Sequence, residues 1–147
     1  MSPCEAISII LDNDADVTAL RSDRYYIGLN MVPSRIARPY QYCDQRDVEE
    51  FRHMTGRSGF ASVVFELETY ADSADTCIDL ARKSRQALDE FEGTVTDETD
   101  GDEFEVKSIK LDDESHVVPL PIPGRETALA VIRQSYRMIY FRNPVTV

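Results

Sequence analysis

Apolar and polar residues along the chain are spaced in patterns that favour helices first and strands later. Ser2 and Pro3 form a favourable helix start, because the hydroxyl can cap free N–H groups and the proline ring already holds a helical φ. The apolar run at 6–11 then predicts one short helix, and Asp14 can cap a second one. A short strand is predicted at 25–29.

The middle of the chain predicts an antiparallel hairpin. Residues 40–43 alternate, and 60–70 is rich in the β-branched and aromatic residues that favour strands. Between them, 55–59 is rich in turn formers. The polar residues near this turn indicate a hairpin around 44–60 that projects beyond the core.

The clearest helical pattern covers 72–91. Asp72 or Ser73 can cap its start, and Gly93 suits the left-handed residue after its end. Apolar residues at three- and four-residue steps predict one buried stripe, made of Ala74, Cys77, Ile78, Ala81, Leu88 and Phe91. A cysteine on such a stripe is usually a small buried hydrophobe, so we expect Cys77 in the core and not as a nucleophile.

The last third of the chain combines an acidic segment with two further strands. Nine of the seventeen residues from 89 to 105 are Asp or Glu, which predicts a solvated acidic loop around 94–105 and then a strand at 104–111. The proline-rich 119–124 is expected to be a loop, because proline cannot donate to a sheet ladder. The spacing at 128–141 almost fits a helix, but its Tyr, Ile and Phe residues favour a long strand.

The predicted order of elements is α–β–β–β–α–β–β. This order indicates an α+β fold, in which a mainly antiparallel sheet of four to five strands has its helices packed on one face. Residues 1–147 are expected to form a single domain, because this length suits one hydrophobic core and the sequence contains neither a repeat nor a composition boundary.

The charge balance excludes one class of function. Sixteen Lys and Arg stand against 27 Asp and Glu, so the net charge is −11, whereas binding to nucleic acid phosphates requires a basic surface. No apolar stretch approaches the roughly 20 residues of a membrane span, and the start lacks a signal-peptide pattern, so we expect no membrane partner. Three widely spaced cysteines favour a reducing compartment over a disulfide framework.

The sequence contains no motif for catalysis or cofactor binding. Residues 56–59 lack the GxSxG spacing of a nucleophile elbow, and neither GxxxxGK[ST] nor GxGxxG occurs. The acidic run 97–102 does not follow the EF-hand order of calcium ligands, and two histidines are too few for a plausible zinc site. We therefore expect no enzymatic activity, no cofactor and no metal.

Arginines concentrate between 35 and 57 of this acidic chain. Arginines on an exposed hairpin can simply be solubilising, but arginine is also enriched where protein surfaces meet. Acidic residues elsewhere on the chain could supply the complementary surface. The candidate residues of a subunit interface are Arg46, Phe51, Arg52, Arg57, Asp97, Asp100, Asp102, Asp112 and Asp113.

Several short motifs carry a resemblance to a known family. They are Arg24-Tyr25-Tyr26 after a short helix pair, Arg38-Pro39-Tyr40 at a strand start, the strand-to-helix passage at 65–74, and the final run at 136–141. Over nearly its whole length the chain resembles the tail-completion proteins of long-tailed phages, the tail terminator or tail-to-head joining family. The segments 94–105 and 118–125 are longer than the family pattern, which affects the loop surfaces and not the fold.

The resemblance implies a structural protein that forms a ring, usually of six copies. Such a ring caps the tail tube, ends its polymerisation and meets a head-completion or neck protein, in a virion assembled in the host cytoplasm. DNA would pass through the acidic bore without specific binding. Two alternatives stay open: a head-completion or stopper-type neck connector, and a monomeric acidic protein that binds a host factor or acts as a small enzyme.

Overall fold

The computed structural model describes residues 2–28, 36–53, 56–99, 101–124 and 127–141, with the side chains of 47–59 left out of the description. Within these residues the helices are α1 (Pro3–Asp12), α2 (Ala15–Arg21) and α3 (Ala74–Leu88). The strands are β1 (Tyr25–Ile27), β2 (Tyr40–His53), β3 (Gly56–Ala71), β4 (Gly93–Thr96), β5 (Glu103–Glu114), β6 (Val118–Leu120) and β7 (Leu129–Phe141).

All seven described strands belong to one mixed sheet that curls into a half-barrel. The strand order is β1-β2-β3-β7-β5-β4, and β6 pairs with β7. β1 runs parallel to β2, whereas the other pairs are antiparallel. The predicted sheet of four to five mainly antiparallel strands is therefore wrong, although the α+β class holds. β4 and β6 were not predicted because they are too short to show periodicity and lie in an acidic and a proline-rich segment, whose compositions favour loops.

The proline-rich segment contributes one of these additional strands. Pro119 lies opposite Ala130 and Leu120 lies opposite Leu129, so the prediction of a loop throughout 119–124 is wrong at its start. Proline is tolerated here because β6 pairs on one side, with β7, among the described strands. At such an edge, one side of the strand needs no N–H donor.

Helix α3 lies within the predicted range but is shorter. The hydroxyl of Ser73 accepts a hydrogen bond from the Thr76 N–H and caps its start, as one of the two predicted caps. The helix ends at Leu88, and it is Glu90, with a φ of 66°, that takes the left-handed conformation predicted for Gly93. Gly93 is instead the first residue of β4.

The main core lies between the helices and one face of the sheet. The side chains of Leu11 from α1 and Leu80 from α3 pack with Phe65 of β3 and Tyr136 of β7, and all four are buried. The Phe65 and Tyr136 rings stack with their centroids 5.2 Å apart. Cys77 is buried in a smaller cluster beside this core, which confirms its predicted place.

The predicted antiparallel hairpin is confirmed as the pairing of β2 with β3. The pairing runs from Tyr40 opposite Tyr70 to His53 opposite Gly56. Within the described residues, β7 pairs with β3 only as far as Phe60, which lies opposite Phe141. Among the described pairings, the last part of the hairpin is therefore held by β2 and β3 alone, and its projection beyond the core stays a prediction.

Candidate functional site

The sheet face that points away from the helices carries a connected polar network. Neighbouring side chains of a strand point to opposite faces, and Phe65 and Leu67 face the helices, so Glu66 and Glu68 point to the other side. We call this side the helix-free face. Its central residues are Tyr40, Tyr42, Glu66, Glu68, Tyr70 and Arg133.

Glu68 is the centre of this network. Its carboxylate accepts a 2.6 Å hydrogen bond from the Tyr70 hydroxyl and a 2.8 Å hydrogen bond from Nε of Arg133, and its side chain is only 5% exposed. Burial by itself would raise the pKa of Glu68, but hydrogen bonds with Tyr42, Tyr70 and Glu66 and the charge of Arg133 bring this pKa below its ordinary value. Glu68 is therefore held as a carboxylate.

Glu66 is the second carboxyl group of the helix-free face. It forms a 2.7 Å ion pair with Arg46, one of the predicted interface arginines. Burial, followed by the hydrogen bond with Glu68, raises the pKa of Glu66, whereas the positive charge of Arg46 opposes this change. Arg46 thus already has an ion-pair partner, Glu66, within its own chain, although more than half of its side chain is exposed.

A cluster of tyrosine rings adjoins Glu68 on the helix-free face. The ring of Tyr70 stacks on Tyr40 and Tyr42 with centroid distances of 4.8 Å and 5.8 Å, and Tyr26 meets Tyr40 edge-on. Burial and the hydrogen bond with Glu68 raise the pKa of Tyr42 to about 12. The phenol therefore stays protonated at neutral pH.

The chemistry of this network favours a structural role. A general acid or base must reach the proton of a substrate, but the oxygens of Glu68 already accept hydrogen bonds from neighbouring side chains. These bonds join β3 to β7 through Arg133 and to β2 through Tyr42. The network therefore connects the two strands of the hairpin, β2 and β3, with their neighbour β7.

The structure does not bring the predicted acidic residues together. Asp97 accepts a hydrogen bond from the Thr99 N–H in the turn between β4 and β5, and Asp102 ends the same turn. Asp112 faces Arg137 at 3.7 Å, and Asp113 accepts from the Glu114 N–H, both near the far end of β5. Ten residues of strand separate the two groups by roughly 30 Å. Asp100 lies outside the described residues.

The remaining predicted residues lie on the hairpin near its turn. In the pairing of β2 with β3, Arg52 stands directly opposite Arg57. Like charges in directly opposed positions of a sheet are unfavourable. The side chains of Phe51, Arg52 and Arg57 lie outside the described part of the structure. The backbone register therefore brings two positions occupied by arginine side by side near the turn of the hairpin.

Exposed apolar residues form two further surfaces that the sequence patterns did not indicate. Ile27 of β1 is 40% exposed, whereas Ile78 of α3 is 48% exposed and Val118 and Leu120 of β6 are each 42% exposed. The prediction that Ala74 and Ile78 belong to the buried stripe of α3 is wrong, since both are exposed and Leu80 and Ser84 are buried instead. An isoleucine at this helical spacing gives no local signal that it faces outward.

Ile78 borders an open groove of about 280 Å³, which we call the α3–β6 groove. It is lined by apolar and polar or charged residues: Ile78, Ala81, Val117 and Ile132, together with Arg82, Arg85, Glu114, Ser115 and His116. In the sheet, β2, β3 and β7 stand between β1 and β6. Ile27 and the α3–β6 groove, which includes Ile132 of β7, are therefore separated in the sheet by β2 and β3.

The described residues contain no group of three or more side chains that could hold a metal ion. None of the described helices is long and apolar enough to cross a membrane.

One comparison finds the same fold elsewhere. The chain is similar to a chain from the virion of a native gene transfer agent (GTA) particle, with a TM-score of 0.68 and 17% sequence identity over 95% of each chain. At this identity the likeness shows a shared α+β fold. The sequence matches no family model and no curated protein.

Proposed function

We propose that this chain is a structural protein of a phage-like particle, in which a ring of six copies caps the tail tube, ends its polymerisation and joins the tail to the head. The observation that carries the proposal is the fold that the chain shares, over 95% of both lengths, with a chain from a gene transfer agent virion. In this proposal the protein acts by shape and binding, without enzymatic chemistry, in the tail or neck of the particle.

The distribution of apolar surface supports a ring. A ring joins subunits head to tail, so each subunit needs two different surfaces that fit each other. Ile27 supplies an exposed apolar side chain on the edge strand β1, and the α3–β6 groove, separated from it by β2 and β3, supplies a concavity with apolar and charged lining residues. Insertion of Ile27 into the groove of the next copy would bury both surfaces.

The charges of the hairpin support the same arrangement. In the proposal, Arg52 and Arg57, which are opposed in the backbone register, meet acidic residues of a neighbouring copy at the β4–β5 turn or near the end of β5. Each copy carries a net charge of −11, so the assembled bore would let DNA pass without specific binding. The partners in the proposal are further copies of the chain, the tail tube protein and a neck protein.

Tube assembly in the presence of the purified protein tests this proposal. Tail tube protein from the same particle is polymerised with and without the chain, and tube lengths and ends are measured by electron microscopy. We expect shorter tubes that carry a collar at one end. Unchanged tubes without collars would contradict the proposal, and binding to the portal side of heads instead would indicate a neck connector.

A further inference from the structure

Two cysteines from distant parts of the chain lie next to each other where α1 packs against β2. Sγ of Cys4, in the first turn of α1, lies 3.0 Å from Sγ of Cys43, in β2. Both side chains are buried, with 2% and 0% of their surface exposed. A disulfide bond is about 2.05 Å long, so an approach of roughly 1 Å would join the two sulfurs.

The surroundings hold this pair in place. The hydroxyl of Tyr25 donates a 3.0 Å hydrogen bond to the backbone carbonyl of Cys4, and the guanidinium of Arg21 lies over the Tyr25 ring at 5.3 Å. The hydrogen bond with Cys43 lowers the pKa of the Cys4 thiol, whereas burial raises the pKa of the Cys43 thiol. Cys4 is therefore the member of the pair that more readily becomes the nucleophilic thiolate.

We propose that Cys4 and Cys43 form a redox modification site, at which a small disulfide of the glutathione class converts the two thiols into a disulfide between α1 and β2. Because Cys4 is buried in the first turn of α1, the reaction needs a transient opening of this turn. The exposed thiolate of Cys4 then attacks one sulfur of the small disulfide, and one small thiolate leaves. Cys43 loses its proton and attacks the sulfur of Cys4, which releases the second small thiolate. The protein loses two electrons and two protons, and the small disulfide becomes two thiols.

The third cysteine provides an internal control. Cys77 is also buried, but it lies in a different cluster, where its thiol donates a 3.4 Å hydrogen bond to the backbone carbonyl of Thr69. Burial raises the pKa of Cys77 to about 11, so little thiolate forms near neutral pH. The proposal therefore requires that oxidation consumes Cys4 and Cys43 and spares Cys77.

The test uses the full chain, reduced and then incubated overnight with oxidised glutathione at pH 8. Intact mass spectrometry should show a loss of about 2 Da, and non-reducing peptide mapping should join the peptides of Cys4 and Cys43. Titration in denaturant should find one thiol of the original three. Three remaining thiols, a stable glutathione adduct, or a disulfide that includes Cys77 would overturn the proposal.

Serine variants test which two cysteines form the disulfide. Cys77→Ser should still lose about 2 Da, whereas Cys4→Ser and Cys43→Ser should not. Because the pair is buried, each variant is first compared with the unaltered protein by circular dichroism. If a variant at the pair does not fold, the peptide map of the Cys77→Ser protein decides the question, because this protein has only the two proposed partners.

Discussion

Glu68 joins strands that are far apart in the sequence. Its hydrogen-bond partner Arg133 lies 65 positions further along the chain, and Tyr70 lies two positions away on the same face of β3. The alternating pattern at 60–70 predicts the strand and its two faces, but it makes Glu68 look like an ordinary solvated residue. Whether a glutamate is buried depends on which strand lies beside it in the sheet. The residues next to Glu68 in the sequence do not determine that strand.

Replacement of Glu68 by glutamine should destabilise the protein without changing its fold. Glutamine keeps the shape of the side chain but loses the charge that attracts Arg133, and it changes the hydrogen bonds with Tyr70. We expect Glu68→Gln to lower the free energy of unfolding by about 1–3 kcal/mol, measured by urea denaturation. The exposed Glu92→Gln is the matched control and should change it by less than about 0.5 kcal/mol. Equal values for both variants would contradict the role of Glu68.

The raised pKa of Tyr42 predicts a loss of stability in alkali. A tyrosine in the unfolded chain has a pKa of about 10, whereas burial and the hydrogen bond with Glu68 raise the pKa of Tyr42 to about 12. The folded state is therefore favoured below pH 10, and this contribution is lost as the pH rises through 12. Urea midpoints between pH 8 and 12 should fall less steeply for Tyr42→Phe than for the unaltered protein. Identical slopes would contradict this prediction.

Among the elements, the long and periodic ones were predictable, and so were the short α2 and β1, whereas the short β4 and β6 were not. The hairpin, α3 and β7 follow from alternation, cap residues and the three- and four-residue spacing of apolar positions. The short β4 and β6 form because β5 and β7 offer them backbone partners. Their pairing depends on tertiary contacts, as does the outward position of Ile78.

The hairpin is the element that we expect to reach a neighbouring copy. Exchange of Arg46, Arg52 and Arg57 for glutamate would place negative charges against the acidic surface of the next subunit. The triple variant should therefore assemble more weakly while its circular dichroism spectrum stays unchanged. Analytical ultracentrifugation measures the assembled fraction at equal protein concentration.

A charge-matched variant separates this effect from the change in net charge. Lys83, Lys107 and Lys110, changed together to glutamate, introduce the same charge difference on α3 and β5. We expect this protein to assemble more strongly than the hairpin variant. If the hairpin variant assembles as well as the unaltered protein, its three arginines do not belong to the interface.

At the scale of the whole molecule, the candidate interface combines surfaces that the sequence suggested and surfaces that it did not. The arginines of the hairpin stand out by composition in an acidic chain. The α3–β6 groove is formed by residues from α3, β7 and the β5–β6 connection, so it exists only after the sheet has formed. Ile27 is recognised as a candidate interface residue only because the structure shows it exposed on β1.

Substitution of Ile27 tests the apolar contact between copies. Ile27→Asp places a charge where the proposal buries an apolar side chain, so it should shift the protein from assembled to single chains by at least tenfold. Ile27→Val keeps the apolar contact and should assemble almost normally. Sedimentation velocity distinguishes the two results, and equal assembly of both variants would remove Ile27 from the interface.

Native mass spectrometry of the unaltered protein at micromolar concentration tests the central claim, assembly into a closed ring, most directly. The account predicts one discrete species of about 100 kDa, corresponding to six copies of the 16.7 kDa chain. A stable species at the mass of one chain, with no larger closed assembly over this concentration range, would contradict it.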